Sequence, residues 1–99
     1  MFKDRFKILR TTYKYTQSEI AEFMDVSVQA VYQWERGLNI PNVETIIKLA
    51  GFFDVSVDYL LSVDDKRYIH VTGLSDEEIA HIQNIVNDIK RIKLSKDLN

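Results

Sequence analysis

The sequence predicts an all-α fold, and three observations support this prediction. The 99 residues include only one proline and three glycines, so few residues interrupt a helix. β-branched residues rarely alternate with polar ones, as they would along a half-buried strand. Apolar residues instead recur at steps of three and four, which is the spacing of one helix face. This length has room for one domain and a short appendage.

Composition excludes several classes of protein. The hydrophobic fraction is 45% and the charged fraction 28%, which is ordinary for a folded globular chain. The absence of cysteine excludes a disulfide framework, a thiolate zinc site and a cysteine nucleophile. No apolar run is long enough for a signal peptide or a membrane span, so we expect a cytoplasmic protein that does not bind membranes. The net charge of −2 argues against binding nucleic acid by charge alone.

The first two helices are predicted from apolar spacing and a capping signal. The first ends near Thr12 and carries an apolar stripe formed by Phe2, Phe6, Leu9 and Tyr13. The second begins at Gln17, because Thr16 and Glu19 fit a capping box, in which each side chain accepts a hydrogen bond from the other residue's backbone. It stops at Asp25, a residue type that tolerates the left-handed conformation. The residues it is expected to bury are Ile20, Ala21 and Met24.

A third helix follows after so short a turn that the two form a helix-turn-helix pattern. Ser27 caps the third helix, and Gly37 ends it, because glycine is the usual residue just past a helix C-terminus. The small side chain of Ala21 allows the two helices to cross closely. The inner side of the third helix is expected to consist of Val31, Trp34 and Leu38. We expect Trp34 to pack in the core rather than to stack on a base.

Two further helices complete a compact five-helix domain over residues 1–62. Asn42 caps the fourth helix. Its apolar positions are Val43, Ile46, Ile47, Ala50 and Phe53. Ser56 caps a short fifth helix. The apolar residues of this helix are Val57, Leu60 and Leu61.

Residues 63–99 are predicted to form a linker and one helix. Residues 64–67 are all charged, and residues 68–71 are compatible with a short edge strand. A second capping signal opens a helix over residues 75–94. The segment is too short for a ligand-sensing domain with its own core, so we expect no small-molecule ligand in cis.

This C-terminal helix has an apolar stripe that must be buried, either against its own five-helix domain or against another copy. Steps of three and four along the stripe form a short a/d seam of the coiled-coil type. We favour a homodimer. The residues assigned to dimerisation are Ile82, Ile85, Val86, Ile89 and Ile92.

The outer arc of the third helix carries side chains that could contact DNA bases. At about 100° per residue this arc holds Val28, Gln29, Tyr32, Gln33 and Arg36. A glutamine amide pairs bidentately with adenine, and a valine methyl meets the methyl of thymine. The alternative is that the glutamines are simply well-solvated residues on a surface helix.

Several short motifs occur in a characteristic order. They are Leu9-Arg10, Thr16-Gln17, Glu19-Ile20-Ala21, Val26, Val31, Trp34-Glu35-Arg36-Gly37, Pro41 and the run from Val55 to Leu61. Together they resemble the Cro/CI-type helix-turn-helix family, also called the XRE family of phage and bacterial regulators, from about Phe6 to Leu61. The resemblance implies a lambda-repressor-like DNA-binding domain. The residues it implies for the major groove are Val28, Gln29, Tyr32 and Gln33; it also implies a phosphate contact for Gln17 and a structural ion pair between Arg10 and Glu35.

The sequence departs from the family pattern in two places. Asp25 stands where the turn usually has glycine, which implies some left-handed strain. The loop over residues 38–42 is neutral where relatives often carry lysine or arginine. The residues we assign to phosphate contacts are Gln17, Lys14, Ser27, Arg36 and Asn39.

These features predict a sequence-specific DNA-binding repressor that binds a pseudo-palindromic operator in double-stranded DNA as a dimer, because a two-fold dimer doubles the length of the site. The rival is a protein-interaction module of the antitoxin or anti-repressor type, which retains the fold and binds a protein partner. The acidic balance and the neutral loop favour this rival.

An enzyme is not expected, because no phosphate-binding glycine loop, nucleophile elbow or pair of catalytic carboxylates is recognisable. Glu78 and His81 have the i, i+3 spacing of a metal motif, but such a site needs a second pair on another helix. We expect the two to be a surface pair. No cofactor and no metal ion are predicted.

Overall fold

The computed structural model describes residues 1–97, and within them it has six helices and no strand. The helices are α1 (Phe2–Thr12), α2 (Gln17–Met24), α3 (Val28–Arg36), α4 (Val43–Phe53), α5 (Val57–Leu60) and α6 (Asp76–Asp97). The chain forms two compact units, one of residues Met1–Ile69 and one beginning at His70. The all-α prediction is confirmed. The last two residues of the predicted C-terminal segment, 98 and 99, lie outside the described residues.

Local hydrogen bonds set the helix ends where the sequence predicts them. In the capping box of α2, the Thr16 hydroxyl accepts from the Glu19 backbone N–H at 3.0 Å, and the Glu19 carboxylate accepts from the Thr16 backbone at 2.9 Å. The caps of α3, α4 and α5 are Ser27, Asn42 and Ser56, and each accepts from the backbone three residues later. Asp25 ends α2 with a φ of 57°.

The five helices of the first unit share one apolar core around Phe6. Its ring stacks on Phe2 at 5.6 Å and meets Trp34 and Phe53 edge-on at 5.8 and 6.3 Å between centroids. The other residues of this core are Leu9, Ile20, Ala21, Met24, Val31, Ile46, Leu49, Ala50 and Leu60. The predicted inner face of α2 is confirmed.

Five residues predicted to lie on the core side are exposed instead. They are Tyr13, Leu38, Val43, Ile47 and Leu61, which keep 51%, 68%, 71%, 57% and 37% of their surface accessible. Tyr13 follows the end of α1, and its ring covers Phe53 at 6.0 Å from outside. Leu38 follows the left-handed Gly37, where α3 has ended. Val43 and Ile47 lie on the outer side of α4, since its buried face consists of Ile46, Leu49, Ala50 and Phe53.

The predicted strand over residues 68–71 does not form. A strand needs a neighbouring strand for its backbone hydrogen bonds, and the structure has none within residues 1–97. The segment after α5 is instead tied to α1 by Arg5. Its guanidinium donates to the backbone oxygens of Tyr59 at 2.8 Å and Asp64 at 2.7 Å, and it pairs with the carboxylate of Asp65. These contacts hold residues 64 and 65 against α1, within the first unit.

The second unit consists mainly of α6, which begins at Asp76 and ends three residues later than predicted. The Ser75 backbone donates to the Glu78 carboxylate at 2.8 Å, and the Ser75 hydroxyl accepts from the Glu78 backbone at 3.1 Å. Hydrogen bonding to the Ser75 backbone, and then to its side chain, lowers the pKa of Glu78 below its ordinary value of 4.5. In the part of the chain that the structure describes, no helix has the length and apolarity needed to cross a bilayer.

Candidate nucleic-acid interface

Helix α3 is held against the core by its inner face. Val31 is fully buried and Trp34 keeps only 5% of its surface accessible, with the indole edge-on to Phe6. Ser27 caps the start of the helix, and Gly37 turns the chain away from its end with a φ of 73°. Because the buried pair sets the rotation of the helix, the opposite arc must face outward.

A buried ion pair links α3 to α1. The Arg10 guanidinium binds the Glu35 carboxylate through both Nε and Nη2, the latter at 3.0 Å from Oε1. These side chains keep only 14% and 5% of their surface accessible. Arg10 also donates to the backbone oxygen of Tyr15 at 2.8 Å. The structure thus brings together the two residues that the sequence predicted as a structural pair, and the bidentate geometry restrains the angle between the two helices.

Gln17 joins the same network at the start of α2. Its side-chain amide donates to Oε1 of Glu35 at 3.2 Å. A glutamine amide has two N–H groups, so this contact leaves the second one available to another acceptor. The side chain is therefore held beside the N-terminus of α2, where backbone N–H groups lack partners within the helix and attract anions.

The outer arc of α3 has two exposed residues near its start. Val28 keeps 46% of its surface accessible, and Gln29 is also exposed. Tyr32, one turn further along, keeps 40%. Its hydroxyl accepts from Nη1 of Arg36 at 2.9 Å, and the Arg36 guanidinium lies 5.6 Å from the ring centroid. Since Tyr32 uses its oxygen to accept this bond, its O–H proton remains available to donate.

Gln33 is half-buried and is oriented by the loop after α3. The side-chain amide of Asn39 donates to Oε1 of Gln33 at 3.2 Å. Because this bond engages the carbonyl oxygen of Gln33, its NH₂ group points away as a donor. The arc thus combines an apolar residue, a free amide and two side chains oriented as hydrogen-bond donors.

The structure places the predicted phosphate-contacting residues in two settings. Gln17, Arg36 and Asn39 each donate to another side chain of the protein. The Ser27 hydroxyl accepts the capping bond of α3 at 3.0 Å, and Lys14 is exposed in the turn between α1 and α2 with a φ of 63°.

Sequence reasoning missed the hydrogen-bond partners of Tyr32 and Gln33. The spacing of Tyr32 and Arg36, four residues apart on one helix, could have indicated the first contact.

The predicted surface pair, Glu78 and His81, lies in the second unit. Both residues line a shallow surface depression of α6 together with Leu74, Glu77 and Ile82. Within residues 1–97 no three His, Asp or Glu side chains lie close enough together to hold a metal ion.

Comparison with known proteins assigns the family. A family model described as "Helix-turn-helix" matches residues 6–60, which is more than half of the chain. This chain belongs to the helix-turn-helix family, XRE type. The family comprises DNA-binding transcriptional regulators rather than enzymes. The resemblance to Cro/CI-type regulators and the lambda-repressor-like fold are both confirmed.

Relatives of this helix-turn-helix protein include an HTH-type transcriptional activator, BcrR, from Enterococcus faecalis. The two are 33% identical over 89% of this chain, which spans only 41% of the length of BcrR. The prophage-derived regulator YonR of Bacillus subtilis is 36% identical, over 79% of this chain and 72% of YonR. Among solved structures, the chain is similar to the P22 c2 repressor, which was crystallised in complex with a synthetic operator. The sequences are 33% identical and the TM-score is 0.61, with 65% of this chain and 97% of the P22 c2 chain covered.

Proposed function

We propose that this protein is a transcriptional repressor that binds a pseudo-palindromic operator as a homodimer, with α3 in the major groove. The observation that carries the proposal is the outer arc of α3. A helix that only faces solvent is usually coated with charged residues. On this arc Arg36 is the one charged residue, and the other four are Val28, Gln29, Tyr32 and Gln33. Packing on the inner side and the ion pair of Glu35 hold the arc in one orientation.

Three residues of the arc have roles that follow from the groups they expose. Gln29 is exposed and offers both an amide donor and a carbonyl acceptor, which together match the major-groove edge of adenine. Val28 beside it is suited to contact a thymine methyl group. Gln33, whose oxygen is engaged by Asn39, is suited to donate to an acceptor such as guanine O6 or thymine O4.

Phosphate contacts position the protein on DNA without reading its sequence. The start of α2 supplies backbone N–H groups and the second amide hydrogen of Gln17. Arg36 supplies positive charge at the C-terminal end of the arc, and Lys14 supplies another in the turn between α1 and α2. Ser27 and Asn39 supply polar side chains at the two ends of α3. Asn39 has a second role here, because it also orients Gln33.

Repression follows from binding over a promoter, where the protein excludes the polymerase. Support comes from the 33% identity with the P22 c2 repressor, whose structure contains a synthetic operator. BcrR, of similar identity, is named as an activator. A reporter gene controlled by this protein's operator distinguishes repression from activation. Its expression falls when the protein is supplied if the protein is a repressor, and rises if it is an activator.

A homodimer is proposed because one α3 covers too few base pairs for useful specificity. Two copies related by a two-fold axis bind half-sites roughly 34–36 Å apart. Selection of bound sequences from a random duplex pool at near-physiological salt tests this directly. We expect an inverted repeat with half-sites about one helical turn apart. No enrichment by a folded dimer would contradict DNA binding and favour a protein-interaction module that retains the fold.

Two glutamine variants separate base contacts from phosphate contacts. Gln29→Ala should lower affinity by about 1–3 kcal/mol and abolish the preference at one base step. Gln17→Ala should weaken all sequences alike, because a phosphate contact carries no sequence information. Titration of single-base operator variants measures both effects.

Gln83→Ala on α6 is the matched control, since this exposed glutamine lies outside the arc. It should leave affinity unchanged. Circular dichroism must show that Gln17→Ala remains folded, because Gln17 also contacts Glu35. Equal losses on every sequence for Gln29→Ala and Gln17→Ala would contradict the assigned roles.

A further inference from the structure

We infer that α6 pairs with α6 of a second copy in the antiparallel orientation, with Glu78 of each chain facing Lys96 of the other. The inference rests on the homodimer of the proposed function and adds the orientation and the register of its contact.

The apolar seam of α6 is open to solvent within the chain. Ile85, Ile89 and Ile92 keep 46%, 53% and 56% of their surface accessible. With Ile82 they follow steps of three, four and three, the a/d pattern of a helix that packs against another helix. Solvent exposure of such a stripe is unfavourable, so a second copy is the natural cover.

The same a/d register continues into a charged residue at each end of the seam. Glu78 lies four residues before Ile82, and Lys96 lies four residues after Ile92. The first turn of α6 is acidic, with Asp76, Glu77 and Glu78, whereas its C-terminal half carries Lys90, Arg91, Lys93 and Lys96. The helix is thus acidic at one end and basic at the other.

These charges distinguish the two ways in which α6 could pair with itself. An antiparallel pair centred at the level of residue 87 places Ile82 opposite Ile92, Ile85 opposite Ile89 and Glu78 opposite Lys96. A parallel pair places each residue opposite its own copy, so glutamate meets glutamate and lysine meets lysine. Opposite charges at such positions stabilise the pair and like charges destabilise it. Antiparallel pairing therefore satisfies the apolar seam and both charged ends at once.

Charge reversal in the full chain tests the orientation, with the dissociation constant of the dimer measured by sedimentation equilibrium at low salt. Glu78→Lys should weaken the dimer about tenfold or more, because lysine then faces Lys96 at both ends. Lys96→Glu should do the same. The double variant, Glu78→Lys with Lys96→Glu, should return to within about threefold of the original value, because opposite charges again face each other.

Glu77→Lys is the control for the charge change, because it makes the same change in the same turn but outside the seam. It should change the dissociation constant by less than about threefold. Glu78 also caps α6 through Ser75, so circular dichroism must show that Glu78→Lys keeps this helix folded. In a parallel pair, Glu78→Lys would only replace one like-charged contact by another. A Glu78→Lys dimer as tight as the original, or a double variant no tighter than the single ones, overturns the antiparallel pairing.

The absence of native cysteine permits a second measurement that does not depend on charge. Chains carrying Ile85→Cys are mixed with chains carrying Ile89→Cys and oxidised. Antiparallel pairing predicts the mixed disulfide, because the two positions face each other within bridging distance. If disulfides form only between two chains that carry the same substitution, antiparallel pairing is wrong. If the protein is monomeric in solution, both the α6 pairing and the proposed homodimer are wrong. Operator selection tests DNA binding separately.

Discussion

In the first unit the apolar faces of five helices cover one another, whereas in the second unit one long helix keeps its apolar face open. Phe6, Ile20, Val31, Leu49 and Leu60 have no accessible surface. Ile85, Ile89 and Ile92 on α6 keep roughly half of theirs, at 46%, 53% and 56%. Both units have the same period of three and four residues. The period indicates that a helix face will be buried, but the available neighbours decide whether the cover comes from the same chain.

Phe6→Ala should produce the largest loss, because Phe6 contacts three other aromatic rings in a closed core. We expect the free energy of unfolding to fall by about 3–5 kcal/mol. Urea denaturation measures it. Ile8→Ala on the same helix is the control, since Ile8 keeps 60% of its surface accessible; its cost should be within about 0.5 kcal/mol. Similar losses for the two variants would mean that α1 does not pack as described.

Arg10→Met should cost about 3 kcal/mol of unfolding free energy, because Glu35 then keeps a buried charge without its main partner. Arg10→Met combined with Glu35→Leu should recover most of this loss, since no unpaired charge remains. Chemical denaturation of the four proteins of this cycle measures the coupling. Additive losses would show that the two side chains stabilise the fold independently.

Ile89→Ala should behave differently from a core variant, because its cost depends on protein concentration. At concentrations where the dimer is populated, we expect the free energy of unfolding to fall by about 2 kcal/mol per chain. In dilute solution it should fall by less than about 0.5 kcal/mol. Thermal unfolding over a range of concentrations measures both. A loss that is the same at every concentration would place Ile89 in an internal core and remove the contrast between the two units.

Glycine substitutions in the first unit should give the smallest effects, of opposite sign. Gly51 lies inside α4, where an added Cβ meets nothing within 4 Å, so Gly51→Ala should raise the free energy of unfolding by about 0.5–1 kcal/mol. Gly37 has a φ of 73°, so Gly37→Ala should lower it by about 1–2 kcal/mol. Thermal denaturation compares the two. Stabilisation by both would contradict the left-handed end of α3.

The helix starts of the first unit were predictable because they depend on nearby residues. Thr16 and Glu19 form the predicted capping box, and Ser27, Asn42 and Ser56 form the predicted caps. The prediction of which residues are buried was less accurate. Val43 and Ile47 fit the apolar period of α4 yet are exposed, and Leu49 is buried in their place. Two overlapping periods fit that helix, and only packing against α2 and α5 selects one.

The candidate site was predictable to a similar extent. The outer arc of α3 followed from Val31 and Trp34, whose burial sets the rotation of the helix. The contact between Arg10 and Glu35 was implied only by family resemblance, because the two residues are 25 positions apart. The bond from Asn39 to Gln33 was not foreseen. It depends on the path of the loop after Gly37, for which the residues carry no periodic signal.

The sequence by itself determined where the helices of the first unit begin, which class of fold they form and which residues of α3 face outward. These properties depend on backbone hydrogen bonds and caps that reach only three or four residues along the chain. Tertiary structure decided which apolar faces are covered and which donors of the arc remain free. Those outcomes depend on contacts between distant residues, such as Arg10 with Glu35 and Arg5 with Asp64, whose distances are set only when the helices pack.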